Sequence, residues 1–183
     1  MLDSAPFIAR IKATFTREEL PPKSLLVKEG ALAKKLFFIE AGGCRAWFTT
    51  GEGKEVTMNF GFEGNFISSM ESLIAAEPSW YNVETLEPTV AYSIPLPEFR
   101  ELKASSGEWQ AAYCAYVEQR LLRYQQLFIT RLKDNPATRY RALLAQYPEI
   151  IQRVPQHYIA SFLGITPVSL SRIRRRQAEL NNC

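Results

Sequence analysis

Histidine and cysteine are scarce in this chain, and their scarcity excludes several classes of protein. The 183 residues include one histidine, His157, and three cysteines, Cys44, Cys114 and Cys183, which lie far apart in the sequence. A zinc site, an iron–sulfur cluster or a disulfide-stapled domain needs more such residues, usually at close spacing. We therefore predict no metal site and no other cofactor, and we expect the three cysteines to be free thiols.

Long apolar runs and low-complexity segments are also missing. No stretch approaches the roughly 18 consecutive apolar residues that a membrane helix requires. The N-terminal sequence MLDSAPFIARIKATF has neither an apolar run nor a small-residue cleavage site. Because 46% of the residues are hydrophobic, the chain can nevertheless bury a proper core. These features predict a globular, cytoplasmic protein without a membrane partner, built from one domain and a smaller second one.

Short β-rich runs separated by glycines occupy the chain up to about residue 97. The runs are SLLVKEG, KKLFFIEAGG, CRAWFTTGEGKEVTMNFGFEGNFI and WYNVETLEPTVAYSI, and TTGEGKEVTM predicts a β-hairpin. Because no helix-length segment separates these runs, they predict an antiparallel barrel or jelly-roll rather than a parallel sheet. The interior residues that we expect are Leu36, Phe38, Trp47, Val56, Met58, Phe66 and Val83.

A long amphipathic helix is predicted from Gly107 to Lys133, where apolar residues recur at steps of three and four. At about 1.5 Å per residue it is roughly 40 Å long, which is more than a small domain usually needs. Its wide apolar face can pack on its own β-domain alone, or also on a second copy of the chain; we favour the second arrangement. The residues assigned to the dimer helix are Trp109, Tyr113, Val117, Leu121, Tyr124 and Phe128.

The segment PQHYIASFLGITPVSLSRIRRR, residues 155–176, has the pattern of a DNA-binding helix-turn-helix. Gly164 falls at the turn, where the backbone must enter the left-handed region. Thr166 followed by Pro167 predicts the N-cap and the first residue of a second helix, which extends to about Glu179. The residues expected to form the buried seam are Ile159, Ala160, Leu163, Ile165, Leu170 and Ile173, with Ala178 as a further inward position.

Arginine and small polar residues dominate the outward face of this second helix, which is typical of a recognition helix. Arginine can donate two hydrogen bonds to guanine in the major groove. Residues 138–183 contain seven arginines and two glutamates, a net charge of +5, against −2 for the rest of the chain. A basic end on a slightly acidic body is typical of a nucleic-acid-binding module. The alternative is an ordinary helical hairpin whose arginines complement a helix C-terminus.

The order of these parts resembles the Crp/Fnr family of bacterial transcription regulators. YIASFLGITPVSLSRIRR resembles the helix-turn-helix of that family, and GEGKEVTMNFGFEGNFI resembles the central hairpin of its β-roll. The resemblance implies an α+β fold. Residues 1–105 would form a cyclic-nucleotide-binding-like β-roll, residues 106–134 the dimerisation helix and hinge, and residues 135–183 an all-α helix-turn-helix domain. It also implies a homodimer that binds double-stranded DNA at an inverted-repeat operator, with RNA polymerase and an unidentified small-molecule effector as further partners.

The resemblance also assigns roles to individual residues of the second helix. Three of them match the positions that meet base edges: Val168, Ser169 and Arg172. Those expected nearer the phosphates or in the basic cluster are Thr166, Ser171, Arg174, Arg175 and Arg176.

Many family members add a β-hairpin wing after the recognition helix, and we expect none here. Its phosphate contacts would then fall to the RIRRR cluster and to Arg139, Arg141 and Arg153. The predicted hinge between the long helix and the DNA-binding domain is Asp134 to Pro136, because proline disfavours the helical conformation in the residue before it.

The β-roll departs from the family pattern where a cyclic nucleotide would bind. Members that bind cyclic AMP carry a glycine–glutamate pair and, about ten residues later, an arginine–serine/threonine–alanine motif. Aligned on FEGNFI, this chain has serines at the first site and no Arg or Lys between Ile67 and Leu86. A buried phosphate without a cation partner would cost several kcal/mol, so we expect no cyclic AMP binding of the standard kind. The residues assigned to the pocket are Ser68, Ser69, Met70, Trp80 and Tyr81, approached by Arg123 and Tyr124 from the long helix.

Two other functions stay open at this point. One is a ligand-binding or protein-interaction β-roll whose helix-turn-helix has lost DNA binding. The other is a cupin-like enzyme, which is disfavoured because cupins generally use two or three histidines and a carboxylate round a metal, whereas this chain has only His157. We therefore expect a regulator and not an enzyme.

Overall fold

Two four-stranded antiparallel sheets form the N-terminal part of the computed structural model, which describes residues 5–181. One sheet has the order β1 (Thr16–Leu20), β8 (Thr89–Pro95), β3 (Lys35–Ala41) and β6 (Phe66–Ile67). The other has the order β2 (Leu25–Val27), β7 (Asn82–Thr85), β4 (Cys44–Thr49) and β5 (Glu55–Gly61). The predicted antiparallel roll is therefore confirmed, and TTGEGKEVTM is the hairpin between β4 and β5.

Helices surround the roll and form the C-terminal third of the chain. The helices of the roll are α1 (Ala5–Thr14), α2 (Met70–Ile74) and α3 (Leu96–Ser105). The long helix α4 (Gly107–Lys133) has the predicted bounds, and after it come α5 (Pro136–Gln146), α6 (Ile150–Arg153), α7 (Gln156–Leu163) and α8 (Pro167–Asn181). None of the described helices is both long and apolar enough to cross a membrane.

Both faces of the β1–β8–β3–β6 sheet are covered, which corrects the predicted interior. Phe37 and Ile39 of β3 point between the two sheets, whereas Leu36 and Phe38 pack beneath α1, α3 and α4. When neither face meets water, a period of two does not show which residues face inward. Phe66 lies on the helix side with Phe38, and Val83 lies between the sheets as predicted. The other residues predicted for the interior, Trp47, Val56 and Met58, are only half-buried.

A third apolar cluster joins the C-terminal helices to the roll. Phe60 of β5 and Phe62, which follows that strand, are part of it. Their ring centroids lie 5.4 Å from that of Phe162 and 5.1 Å from that of Tyr147, respectively. The helical conformation is interrupted between α4 and α5 at the predicted hinge. There the Asn135 side chain accepts a hydrogen bond from the N–H of Thr138 at 3.0 Å. This cluster contains residues of the first and the third predicted domains. The division into three domains stays a prediction.

Candidate nucleic-acid interface and effector pocket

A three-residue turn joins α7 to α8, as predicted for a helix-turn-helix. Gly164 ends α7 with a φ of 69°, in the left-handed region. Its N–H donates to the carbonyl of Ser161 at 3.0 Å, and the N–H of Ile165 donates to that of Ala160 at 3.0 Å. A Cβ at Gly164 would meet no described atom within 4 Å. The backbone conformation, and not a lack of space, therefore favours glycine at this position.

Thr166 is the N-cap of α8. Its Oγ1 accepts a hydrogen bond from the N–H of Ser169 at 3.2 Å, and the two hydroxyl oxygens lie 3.0 Å apart. Such a bond satisfies one of the free N–H groups at a helix start. The two hydroxyls thus have a structural role in addition to the DNA contacts predicted for them.

The outer face of α8 is basic and accessible. Leu170 is fully buried and Ile173 is half-buried, so these residues hold the helix on the domain. Arg174 is half-buried on the flank beside Tyr140. Burial raises the pKa of Tyr140, and the positive charge of Arg174 partly opposes this shift. Arg174 is therefore less accessible to DNA than the prediction implies. The predicted DNA-binding residues that are exposed are Thr166, Val168, Ser171, Arg172, Arg175 and Arg176.

Two predictions in this region fall on parts of the chain that are not described. The inward placement of the Ala178 side chain and the free thiol of Cys183 both lie outside the described residues. The other two cysteines are free, with Cys44 buried and Cys114 exposed.

Two of the arginines expected to make the phosphate contacts of a wing form hydrogen bonds or ion pairs within the protein instead. Arg139 donates to the carbonyls of Asp134 and Leu163, each at 2.8 Å. Arg153 pairs with Glu63 of the roll at 2.7 Å. Arg141 is exposed. Arg139 and Arg153 are therefore less available to DNA phosphates than predicted, because folding brings carbonyls and a carboxylate to them.

The first helix of the helix-turn-helix is docked on the edge strand β5. The hydroxyl of Ser161 accepts a hydrogen bond from the N–H of Thr57 at 2.9 Å, so the helix covers part of an otherwise open sheet edge. The ring of Tyr158 lies over the guanidinium of Arg45, and the guanidinium carbon is 3.6 Å from the centre of the ring. Arg45 is only 2% exposed and also lies 2.8 Å from Glu84. The position of α7 is thus determined by contacts with β4 and β5.

Side chains fill the space that was predicted to be an effector pocket. About 20 Å³ remains inside the roll next to Ser68 and Tyr81, roughly the room that one water molecule needs. The Tyr81 hydroxyl donates to the carbonyl of Ser68 at 3.1 Å and accepts from the N–H of Met70 at 3.3 Å. Ser69 caps α2 through the N–H of Ser72. Burial, together with the nearby Tyr124 and Glu71, raises the pKa of Tyr81, so its hydroxyl stays protonated near neutral pH.

Two residues assigned to this pocket lie elsewhere. Trp80 is 71% exposed on the outside of the roll, because Ser79 and Tyr81 on either side of it turn inward. Arg123 is directed toward the C-terminal helices, where it donates to the hydroxyl of Tyr147, the residue that follows α5. Tertiary packing decides both placements.

Arg120 is the pocket residue that sequence reasoning missed. It lines the space inside the roll and donates to the hydroxyls of Tyr116 and Tyr124 at 2.8 and 2.7 Å. Neither partner is a carboxylate. Tyrosine, arginine and tyrosine at steps of four on one helix face could have indicated this cluster.

The face of α4 that is free to meet a second copy begins further along the helix than predicted. Trp109 is buried against Phe7 and Phe15 of its own chain, and Tyr113 packs near Phe99. These two residues therefore belong to the core of the roll. Val117 and Tyr124 are half-buried. The apolar stripe, by which we mean the exposed apolar residues of α4, consists of Leu121, Leu122, Phe128, Ile129 and Leu132.

Comparisons with known proteins agree with this architecture. Residues 17–106 match the family of the cyclic nucleotide-binding domain, and no curated protein matches the sequence. FixK2 from Bradyrhizobium japonicum superposes with a TM-score of 0.80 at 12% identity, over 92% of this chain and 86% of that one. CLP, a c-di-GMP responsive global regulator from Xanthomonas campestris, gives 0.75 at 17% identity, over 96% and 93%.

A third solved structure carries the name of the family that the sequence resembles. It is a protein from Eubacterium rectale assigned to the Crp/Fnr family of transcriptional regulators, with a TM-score of 0.73 at 15% identity, over 96% of this chain and 84% of that one. At identities this low, the three superpositions establish a shared fold and nothing more. Residues 17–106 thus match the cyclic nucleotide-binding domain family, and the chain shares the fold of these Crp/Fnr-type structures.

Proposed function

We propose that this chain is a homodimeric, sequence-specific, DNA-binding transcription regulator of the Crp/Fnr type and not an enzyme. The observation that carries the proposal is the geometry of α8, which buries Leu170 and turns Val168, Arg172 and Arg175 outward on one face. A helix with an apolar back and exposed arginines can enter the major groove and hydrogen-bond to base edges. The fold shared with the Eubacterium rectale protein supports the same function.

The apolar stripe supports a dimer. Leu121 and Phe128 are 66% and 64% exposed and lie seven residues apart, so they share one face of α4. A contiguous apolar surface of this kind is unusual on a monomer and is typical of a helix–helix interface. Two copies paired through α4 would present two recognition helices about 34 Å apart, which matches half-sites one turn of DNA apart. RNA polymerase is a further partner of such a regulator, and the cytoplasm is its expected location.

Cyclic AMP is not the effector that we propose. The roll keeps only about 20 Å³ beside Tyr81, and Arg120 is oriented by two tyrosine hydroxyls. CLP is responsive to c-di-GMP, so the fold is compatible with ligands other than cyclic AMP. We infer that the effector of this chain, where one acts, is a different small molecule.

Selection of bound sequences from a random duplex library tests the DNA-binding function. We expect the full-length protein to enrich an inverted repeat whose half-site centres are about 10 base pairs apart. Arg172→Ala should relax the enriched sequence at one position per half-site, whereas Arg141→Ala should keep the wild-type preference, because Arg141 is an exposed arginine outside α8. Absence of any affinity for duplex DNA at low salt would contradict the proposal and favour an interaction protein with a degenerate helix-turn-helix.

A further inference from the structure

A cleft between α4 and the C-terminal helices is lined by three arginines. Arg123 and Arg131 come from α4 and Arg139 from α5, and the cleft has a volume of about 440 Å³. This volume is within the range of small-molecule sites. None of the described residues that line the cleft is acidic. Among residues 5–181 none of the three arginines forms an ion pair.

The hydrogen bonds of these arginines leave donors free. Arg131 donates to the carbonyl of Phe162 at 3.0 Å, and Arg123 donates to the hydroxyl of Tyr147. A guanidinium has five N–H donors. The Nε atoms of Arg123 and Arg139 are buried and have no hydrogen-bond partner among the described residues. Contacts with the carbonyls at helix ends explain part of the placement of Arg131 and Arg139, but they leave the positive charge uncompensated.

Like charges face each other across this cleft. Burial lowers the pKa of Arg131, and the charge of Arg139 lowers it further. Guanidinium groups nevertheless remain protonated in proteins, so the cleft keeps all three charges at neutral pH. A bound anion would relieve their repulsion and replace the missing carboxylates.

We propose that the cleft binds a small organic phosphate with at least two negative charges. Arginine suits this ligand because its planar fork donates two parallel hydrogen bonds to phosphate oxygens. The amides of Gln126 and Gln146 add further polar groups, and Leu127, Leu143 and Phe162 form an apolar wall for the organic part. The arginines lie in a concave cleft and not on the exposed face of α8, which favours a small molecule over duplex DNA.

The cleft remains accessible when α4 pairs with a second copy. Arg123, Leu127 and Arg131 follow one another at steps of four, so they share one face of the helix. The apolar stripe that contains Leu121 and Phe128 occupies a different face. A ligand in the cleft would contact α4, α5 and α7 together and stabilise their relative orientation. The inference does not depend on DNA binding, and the two proposals can fail separately.

Isothermal titration calorimetry on the full-length protein tests the site, with inorganic pyrophosphate, ADP and adenosine as probes. We expect pyrophosphate to bind, ADP to bind more tightly because its nucleoside contacts the apolar wall, and adenosine to give no heat. Arg123→Gln and Arg131→Gln should each raise the Kd for ADP by about tenfold or more, because each removes a charge-assisted pair of donors.

A second variant guards against an effect on folding. Gln126 is exposed and lines the cleft, so Gln126→Glu adds a carboxylate that would repel a bound anion. Glutamine and glutamate have similar helix propensities, so the change should not disturb α4. It should weaken ADP binding several-fold. Gln110→Glu makes the same charge change on the same helix outside the cleft and should leave the Kd unchanged.

Three results would overturn the proposal. The first is no heat with pyrophosphate or ADP at millimolar concentration. The second is equal weakening by Gln126→Glu and Gln110→Glu, which would indicate a general charge effect. The third is displacement of pyrophosphate by a short duplex DNA of random sequence, which would make these arginines DNA contacts.

Discussion

Arg153 Nη2 lies 2.7 Å from Glu63 Oε1, and this ion pair joins α6 to the turn between β5 and β6. The same guanidinium lies 2.6 Å from Glu87 and donates to the carbonyl of Gly42 at 3.0 Å. It also covers the ring of Phe62, 4.5 Å from its centre. One side chain thus fastens the C-terminal helices to three separate loops of the roll.

Arg153→Met should lower the free energy of unfolding by about 1–3 kcal/mol, because two carboxylates and a carbonyl lose a charged donor at once. The carboxylates are partly solvated, so we expect less than for a fully buried pair. Denaturant unfolding measures the change. Arg141→Met is the matched control, since Arg141 is exposed and its side chain hydrogen-bonds only to the Thr138 hydroxyl, at 3.2 Å, among the described residues. An equal loss in both variants would contradict the role of Arg153.

The contribution of Glu63 to stability should depend on pH. Burial raises the pKa of Glu63, but hydrogen bonds from Arg153 and from the backbone outweigh it, so the pKa lies below its ordinary value. Such a carboxyl stabilises the fold above its unfolded-state pKa of about 4.3. That contribution is lost as the pH falls through the folded-state pKa.

We therefore expect the unfolding free energies of wild type and Glu63→Gln to converge as the pH is lowered from about 6 to below the unfolded-state value. Denaturant unfolding at each pH measures the difference between them. A difference that stays constant over this range would show that the Glu63 carboxylate does not contribute through its charge.

Leu121→Glu should convert the dimer to a monomer, because it places a charge in each copy within the apolar stripe. Leu121→Met keeps the side chain apolar and should keep the dimer. Sedimentation velocity distinguishes the two states. A Leu121→Glu variant that sediments like the wild-type dimer would refute the α4 interface.

Arg172→Ala should cost about 1–3 kcal/mol of DNA-binding free energy and relax the preferred base at one position per half-site. Arg172 is exposed on α8, whereas Arg174 is half-buried on its flank. Arg174→Ala should therefore leave the preferred sequence unchanged. Binding measured on selected and random duplexes separates base from phosphate contacts. If Arg172→Ala weakens both equally, Arg172 contacts phosphate.

Cyclic AMP should leave the Tm of the protein unchanged, because Tyr81 and its hydrogen bonds fill the space beside Ser68. A ligand that binds only the folded state raises the Tm. Differential scanning fluorimetry with cyclic AMP, and with 5′-AMP as a control for general phosphate effects, tests this. Stabilisation by micromolar cyclic AMP alone would show that the pocket opens.

Local signals made the helix-turn-helix and the long helix predictable. Gly164, Thr166 and Pro167 act on the backbone within a few residues of themselves, so their effect does not depend on distant parts of the chain. The apolar period of α4 likewise predicted a helix with the observed bounds. The lack of Arg and Lys between Ile67 and Leu86 could also be read directly from the sequence, but the placement of Arg120 beside this segment could not.

Contacts between distant segments were not predictable in this way. Arg153 meets Glu63 and Glu87 across 90 and 66 residues, and nothing near Arg153 in the sequence distinguishes it from an arginine free to contact DNA. Trp109 has the spacing of an interface residue, yet it packs against Phe7 and Phe15. Periodicity shows that a helix face is apolar but not which partner covers it.

The sequence by itself determined the order of β-roll, long helix and helix-turn-helix, together with the turn at Gly164 and the basic face of α8. These features depend on backbone preferences and on residue types along the chain. The tertiary structure decided that Tyr81 fills the pocket, that Arg120 lines it in place of Arg123, and that α7 docks on β5. Those outcomes depend on side chains from distant segments competing for the same buried space, which only the folded arrangement resolves.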